Sequence, residues 1–160
     1  MADAGTIRKR LETQGFHGLD DAALAEIGPW MRWSPALCTT VMVAGVLWTS
    51  PALLWSLALT AAAGVVLPRH PFDYLYNHGF RNLTGTRALP PNGAPRRFAC
   101  ALAAAWLGAT GLAFQMGAMT AGHALGGALI AVAGLVSVTH FCIPSLVYQA
   151  LFGRRPAPQV

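Results

Sequence analysis

Residues 34–67 read SPALCTTVMVAGVLWTSPALLWSLALTAAAGVVL, thirty-four positions without one Asp, Glu, Lys or Arg. How this run divides decides the architecture. A bilayer-crossing helix needs about 20 mainly apolar residues, so the run is long for one crossing and short for two. Thr49-Ser50-Pro51 lies near its middle. Pro51 suits the first position of a new helix, where a missing N–H costs nothing. Split there, the run yields spans of about 34–49 and 51–67. Each would reach only ~24 Å at ~1.5 Å per residue, short of a ~30 Å hydrocarbon core.

Charge placement resolves the ambiguity. Arg8, Lys9, Arg10 and Arg32 precede the run, and Arg69, Arg81, Arg87, Arg96 and Arg97 follow it. A single crossing would leave one basic cluster outside, against the bias that keeps Lys and Arg cytoplasmic. The run therefore reads as a hairpin, with Trp30, Trp33 and Trp48 near the interfaces and local bilayer thinning taking up the shortfall.

A second uncharged stretch runs from Phe98 to Gly153, too long for one crossing. It divides into a helix over 98–119, a turn at Thr120-Ala121-Gly122 and a helix over 122–143 limited by Pro144. The expected fold is all-α and integral to the membrane: four transmembrane helices as two hairpins, with both termini cytoplasmic. Around them lie a cytoplasmic segment at 1–31, a membrane domain at 32–153 with a cytoplasmic loop at 68–97, and a tail at 154–160. Short helices are expected in the first segment, with Thr6 and Asp20 as caps and Gly15 as a stop. Leu24 and Ile27 would pack there against the bilayer or a partner. That segment carries Arg8, Lys9, Arg10, Glu12, Asp20, Asp21 and Glu26, without the apolar core of a cleaved signal.

Composition agrees. The chain is 54% hydrophobic and 11% charged, against about 25% charged in a soluble domain. The net charge of +5 flanks apolar runs and forms no separate basic domain. Anionic lipid headgroups account for it better than nucleic acid does. Gly122, Gly126, Gly127 and Gly134, with the alanines from Ala99 to Ala109, offer small faces for close helix packing. Phe72, Tyr74, Tyr76 and Phe80 mark the loop as an interfacial docking segment. Ser56, Thr60, Gln115 and Ser137 read as hydrogen-bonding glue between helices.

The two halves echo each other. Arg32-Trp33-Ser34-Pro35-Ala36-Leu37-Cys38 opens the first hairpin and Arg97-Phe98-Ala99-Cys100-Ala101-Leu102 the second. His70-Pro71, Tyr74 and Tyr76 follow the first, and His140, Pro144 and Tyr148 close the second. These segments, with Pro95-Arg96-Arg97-Phe98-Ala99-Cys100 and Phe141-Cys142-Ile143-Pro144-Ser145-Leu146-Val147-Tyr148, resemble the bacterial membrane family catalogued as domain of unknown function 4395. The resemblance covers roughly Trp30 to Gly153 and implies this fold in a bacterial inner membrane, without an activity. Many members carry a second cysteine three residues after the first in the closing motif. Ser145 stands there in this chain, so no role resting on a Cys-x-x-Cys pair is implied.

Cys38, Cys100 and Cys142 fall near the cytoplasmic helix ends in this topology, at the depth of His70, His78 and His140. Thiolate and imidazole suit zinc or copper, and a thiol of lowered pKa could handle sulfur or redox chemistry. The same cysteines serve equally as small apolar residues in tight packing, and His140-Phe141-Cys142 is no standard metal spacing. A cytoplasmic position argues against structural disulfides. His123 and His140 lie ~25 Å apart along one expected helix, so they cannot share a metal. Each could hold a haem or chlorophyll-type pigment, or simply reach water at its own interface.

Other chemistries lack their parts. No expected span contains Asp or Glu, the usual carriers of coupled transport. There is no Walker-type phosphate loop, and Asn82-Leu83-Thr84 means little on a cytoplasmic loop. Asp73 is the only acid after Glu26, too few for paired-carboxylate catalysis. The resulting expectation is a non-catalytic accessory subunit packed against a larger membrane complex, respiratory or photosynthetic. A thiol, sulfur or metal protein using Cys38, Cys100, Cys142, His70 and His140 is the alternative. A haem- or pigment-binding subunit using His123 or His140 is the third.

Overall fold

The computed structural model describes residues 3–153 and is all-α; the expected tail at 154–160 lies outside the described residues. Two short helices, α1 (Ala4–Thr13) and α2 (Asp21–Ile27), lead through a 3-10 turn at Pro29–Arg32 into α3 (Trp33–Leu47) and α4 (Pro51–Val66). Next come α5 (Pro71–Leu75), a π turn at Tyr76–Phe80 and α6 (Arg81–Thr84). The chain ends with α7 (Ala94–Gln115), α8 (Met119–Thr139) and α9 (Ile143–Phe152).

The two hairpins turn by the same device. Thr49 takes a left-handed φ of 46°, and the Ser50 N–H donates back to Gly45 O at 2.8 Å, closing α3. The Ser50 hydroxyl then accepts from the Leu53 N–H, and Pro51 opens α4. In the second hairpin Gly117 takes φ 77°, and the Ala118 N–H donates to Ala113 O at 2.9 Å. That turn precedes the expected one at Thr120-Ala121-Gly122, because Gly117 supplies the positive φ that a small residue alone does not. Helix α8 likewise stops at Thr139, where His140 turns left-handed at φ 60°. The chain from Ile143 onward is a separate helix, with proline in its first turn as in α5.

Helices α3, α4, α7 and α8 pack in a ring, each antiparallel to its neighbours. The core joins Met42, Leu54, Leu57, Leu107, Phe114 and Leu129. Glycines let the helices close. A Cβ on Gly126 would meet Val46 Cγ2 at 2.5 Å, and one on Gly122 would meet the Phe114 ring at 2.5 Å. Gly127 and Gly134 have nothing within 4 Å and look outward. Of the polar residues on these helices, Ser137 does reach across, lying 3.2 Å from the Thr39 hydroxyl. Ser56 and Thr60 instead donate to carbonyls four residues back in their own helix.

Helices α7 and α8 are each long and apolar enough to cross a membrane. A third candidate pairs α4 with the helical segment Pro71–Thr84, bent by 81°.

The N-terminal segment folds back onto the chain itself. Leu24 and Ile27, expected to meet lipid or a partner, are buried with Leu11, Phe16, Met31 and Tyr76 in a second core. Asp20 caps α2 through the Ala23 N–H, whereas Asp3 rather than Thr6 occupies the cap position of α1. Gly15, at φ 94°, ends that turn where its backbone meets Gly93. The segment also serves α8, whose last carbonyls lack intrahelical partners. Arg10 donates to Thr139 O at 2.7 Å, Arg32 to Val138 O at 2.8 Å, and Gln14 to His140 O at 2.8 Å.

The two glycine environments make a matched comparison. Gly126→Val forces a side chain into Val46 and is expected to cost about 1–3 kcal/mol. Gly134→Val, facing open space, should change stability by under about 0.5 kcal/mol. Thermal unfolding of both variants in one detergent checks this, and equal losses would count against the tight α3–α8 contact.

Candidate functional site

Asp73 is 1% exposed, and a buried carboxylate needs partners. Helix α5 delivers it between α3 and α7. Ser34 Oγ donates to Asp73 Oδ1 at 2.5 Å. Arg96 Nη2 lies 3.2 Å from Oδ2 as an ion pair, with the guanidinium over the Phe16 ring at 5.1 Å. Helix α5 is itself set by His70, whose Nδ1 accepts the Phe72 N–H at 3.3 Å. With Nδ1 accepting, the proton of a neutral imidazole resides on Nε2. That nitrogen points at Cys38 Sγ, 3.9 Å away. Burial, assisted by Arg96 and opposed by Asp73, lowers the His70 pKa to about 4, so the ring is neutral near pH 7.

Above this polar cluster the bundle encloses a cavity of about 230 Å³. Its polar end is formed by Ser34, Cys38, His70, Arg96, Cys100 and Cys142. Its walls include Leu57 and Leu107 and are kept open by small residues, among them Ala61, Ala99, Ala103 and Ala133. Leu102 and Trp106 line it too, yet are 41% and 37% exposed on the outside of α7. Helices α7 and α8 touch where the Trp106 indole donates to Leu125 O, at 3.1 Å. Leu102 and Ala99 lie beyond that contact, toward the polar end, so the cavity reaches the flank of the bundle there.

Cys142 occupies the N-cap position of α9, and its Sγ accepts a hydrogen bond from the Ser145 hydroxyl, 3.1 Å away. Ser145 thus supplies a donor to this thiol.

The structure brings Cys38, Cys100, Cys142 and His70 to one cavity. His140, two residues from Cys142, is buried but does not line it. His78 stacks on Tyr74 in a different pocket. His123 sits at the opposite end of α8, exposed, with its Nδ1 2.8 Å from Met119 O and its ring edge-on to Phe114. Among the described residues no three His, Cys, Asp or Glu side chains are grouped to hold a metal ion. The docking aromatics divide as well. Tyr76 is fully buried against Trp30 and Trp33, because the N-terminal segment covers it, and Phe72 packs on the bundle core. Arg96 and Ser34 were not read as site residues from the sequence. The signal was Asp73, a lone acid whose burial requires both a cation and a donor.

Fold and site together define a small all-α protein with two to three candidate membrane spans and a thiol-lined cavity within its bundle. Residues 29–152 match the family described as Domain of unknown function (DUF4395). The chain belongs to that family. The match runs from the 3-10 turn to the end of α9, taking in every residue that lines the cavity except Gln14. No curated protein and no solved structure matches the chain.

Removing one member of a buried ion pair strands the other, at about 3–5 kcal/mol. Arg96→Met is expected to incur that loss in a denaturation measurement. Asp73→Leu combined with Arg96→Met should recover much of it, and strict additivity of the two losses would sink the pairing.

Proposed function

We propose that this chain is a four-crossing protein of the bacterial inner membrane, with its termini and the 68–97 loop cytoplasmic, that handles sulfur or thiol chemistry in its bundle cavity. The observation that carries the chemistry is the convergence of Cys38, Cys100 and Cys142, from three separate segments, on one cavity beside His70 and Arg96. Cys142 is the reacting thiol in this reading, since its Sγ lies at the start of α9 and accepts from the Ser145 hydroxyl. The thiolate attacks an electrophilic sulfur, an S–S bond forms on Cys142, and the donor leaves as its own thiolate. The apolar walls and the outward-reaching Leu102 and Trp106 suit a donor that travels in the bilayer.

Four crossings are supported by the antiparallel ring, in which α3 and α4 pack beside the longer α7 and α8. The 3-10 turn ahead of α3 extends that helix toward the length a crossing needs. Sidedness is supported by charge. The turns at 48–50 and 116–118 have no charged residue, while the opposite end carries the arginines of α1, the 3-10 turn, α6 and the start of α7.

A second reading, the accessory subunit of a larger respiratory or photosynthetic complex, is favoured by Gly127 and Gly134. One heptad apart on α8, they leave a small outward face on which another helix could pack.

Two measurements test these readings. Protein purified in mild detergent and treated with a small-molecule persulfide is expected to gain a sulfur atom on the Cys142 peptide by mass spectrometry. Cys142→Ser should abolish the gain. Unmodified cysteines in wild-type protein recovered as part of a stoichiometric complex would reverse the order of the two readings. For topology, single cysteines at Thr49 or Gly117 in a cysteine-free background are expected to react with an impermeant maleimide added to the periplasm, and one at Leu83 should not. The opposite pattern would overturn the sidedness.

A further inference from the structure

A surface pocket beside α5 and α6 takes no part in the reading above. It measures about 360 Å³ and is walled by Arg69, Tyr74, Asn77, His78, Arg81 and Asn82. Its two arginines carry uncompensated charge. Arg87 pairs with Glu26 at 3.1 Å and Arg96 with Asp73, but among the described residues neither Arg69 nor Arg81 has an acidic partner. Arg69 commits its Nε–H to Leu89 O at 3.0 Å, which orients the guanidinium and leaves its remaining donors for a ligand.

The pocket walls are held in place by other contacts. Asn77 grips the Leu89 backbone at both ends, accepting its N–H at 2.7 Å and donating to its carbonyl at 3.3 Å. Tyr74 and His78 lie parallel, within 5°. Two guanidinium groups beside an imidazole in a concave polar wall offer the charge and the forked donors that phosphate oxygens accept.

The surroundings indicate what carries the phosphate. Leu75 on α5 and Leu83 on α6 are 53% and 84% exposed, and Val66 at the end of α4 is 79% exposed. Leu83 shares α6 with Arg81, and Leu75 ends the helix that follows Arg69; exposed leucines beside these cations fit the boundary between headgroups and acyl chains, where apolar burial and attraction to anionic lipid act together. We propose that this pocket binds the phosphate of an anionic lipid headgroup, with Leu75 and Leu83 seated in the bilayer surface.

The test uses the full chain in nanodiscs made of equal parts phosphatidylglycerol and phosphatidylcholine, followed by native mass spectrometry of the released protein. Phosphatidylglycerol is expected to be retained over phosphatidylcholine. Arg69→Gln and Arg81→Gln should each lower that retention about five-fold, while Arg87→Gln, outside the pocket, should leave it unchanged. Among the described residues Arg81 has no acidic partner, so its variant reads binding even if Arg69→Gln disturbs the loop. Equal retention in the Arg81 and Arg87 variants would overturn the site. Retention that survives added inorganic phosphate supports the lipid as the source, and displacement by it would overturn that assignment in favour of a free anion.

Discussion

One buried carboxylate organises the basic end of this bundle. Asp73 is the only acid after Glu26, so no other carboxylate in the later part of the chain could compensate Arg96 as α7 packs. By accepting from Ser34 and pairing with Arg96, it ties α5 to the first helix of each hairpin. His70, three residues earlier, is carried into place by the same helix, and so is its contact with Cys38. The polar end of the cavity therefore rests on one ion pair and one hydroxyl contact held out of water.

The rest of the bundle follows a different economy. Glycines at 45, 111, 122 and 126 receive Leu54, Trp55, Phe114 and Val46 respectively, so the helices approach closely where those side chains fit. Between Cys100 and Cys142 the helix walls carry small side chains, among them Ala99, Ala103 and Ala133, and these leave space between helices. Close packing is the rule inside proteins, and a void forfeits dispersion contacts. A 230 Å³ space bounded by thiols and a paired arginine is the place where an occupant would restore those contacts, which is why the proposed chemistry is assigned there.

Much of this was legible in the sequence. The charge-free runs, the break at Thr49-Ser50-Pro51 and the separate basic segments all reappear as helices, turn and polar end, because each rests on local chemistry. The depth of Cys38, Cys100 and Cys142 near one end was legible as well, from their distance to the helix termini. Less legible was the end of α8. Pro144 suggested a stop near Ile143, but His140 adopts a left-handed cap for which His has only a weak preference. The second core was also hidden, since Leu24 and Ile27 look alike whether they meet lipid or Tyr76.

By itself the sequence determined where the charge-free runs lie, how apolar they are and where charges flank them, since hydropathy and charge are properties of each stretch alone. Only the tertiary structure decided which helix neighbours which, that Asp73 meets Arg96 rather than solvent, and that three cysteines share a cavity while His123 and His140 do not. Those outcomes depend on the shapes of facing surfaces far apart in the chain. One glycine receiving one valine, or one carboxylate reaching one guanidinium, leaves no periodic trace in the sequence.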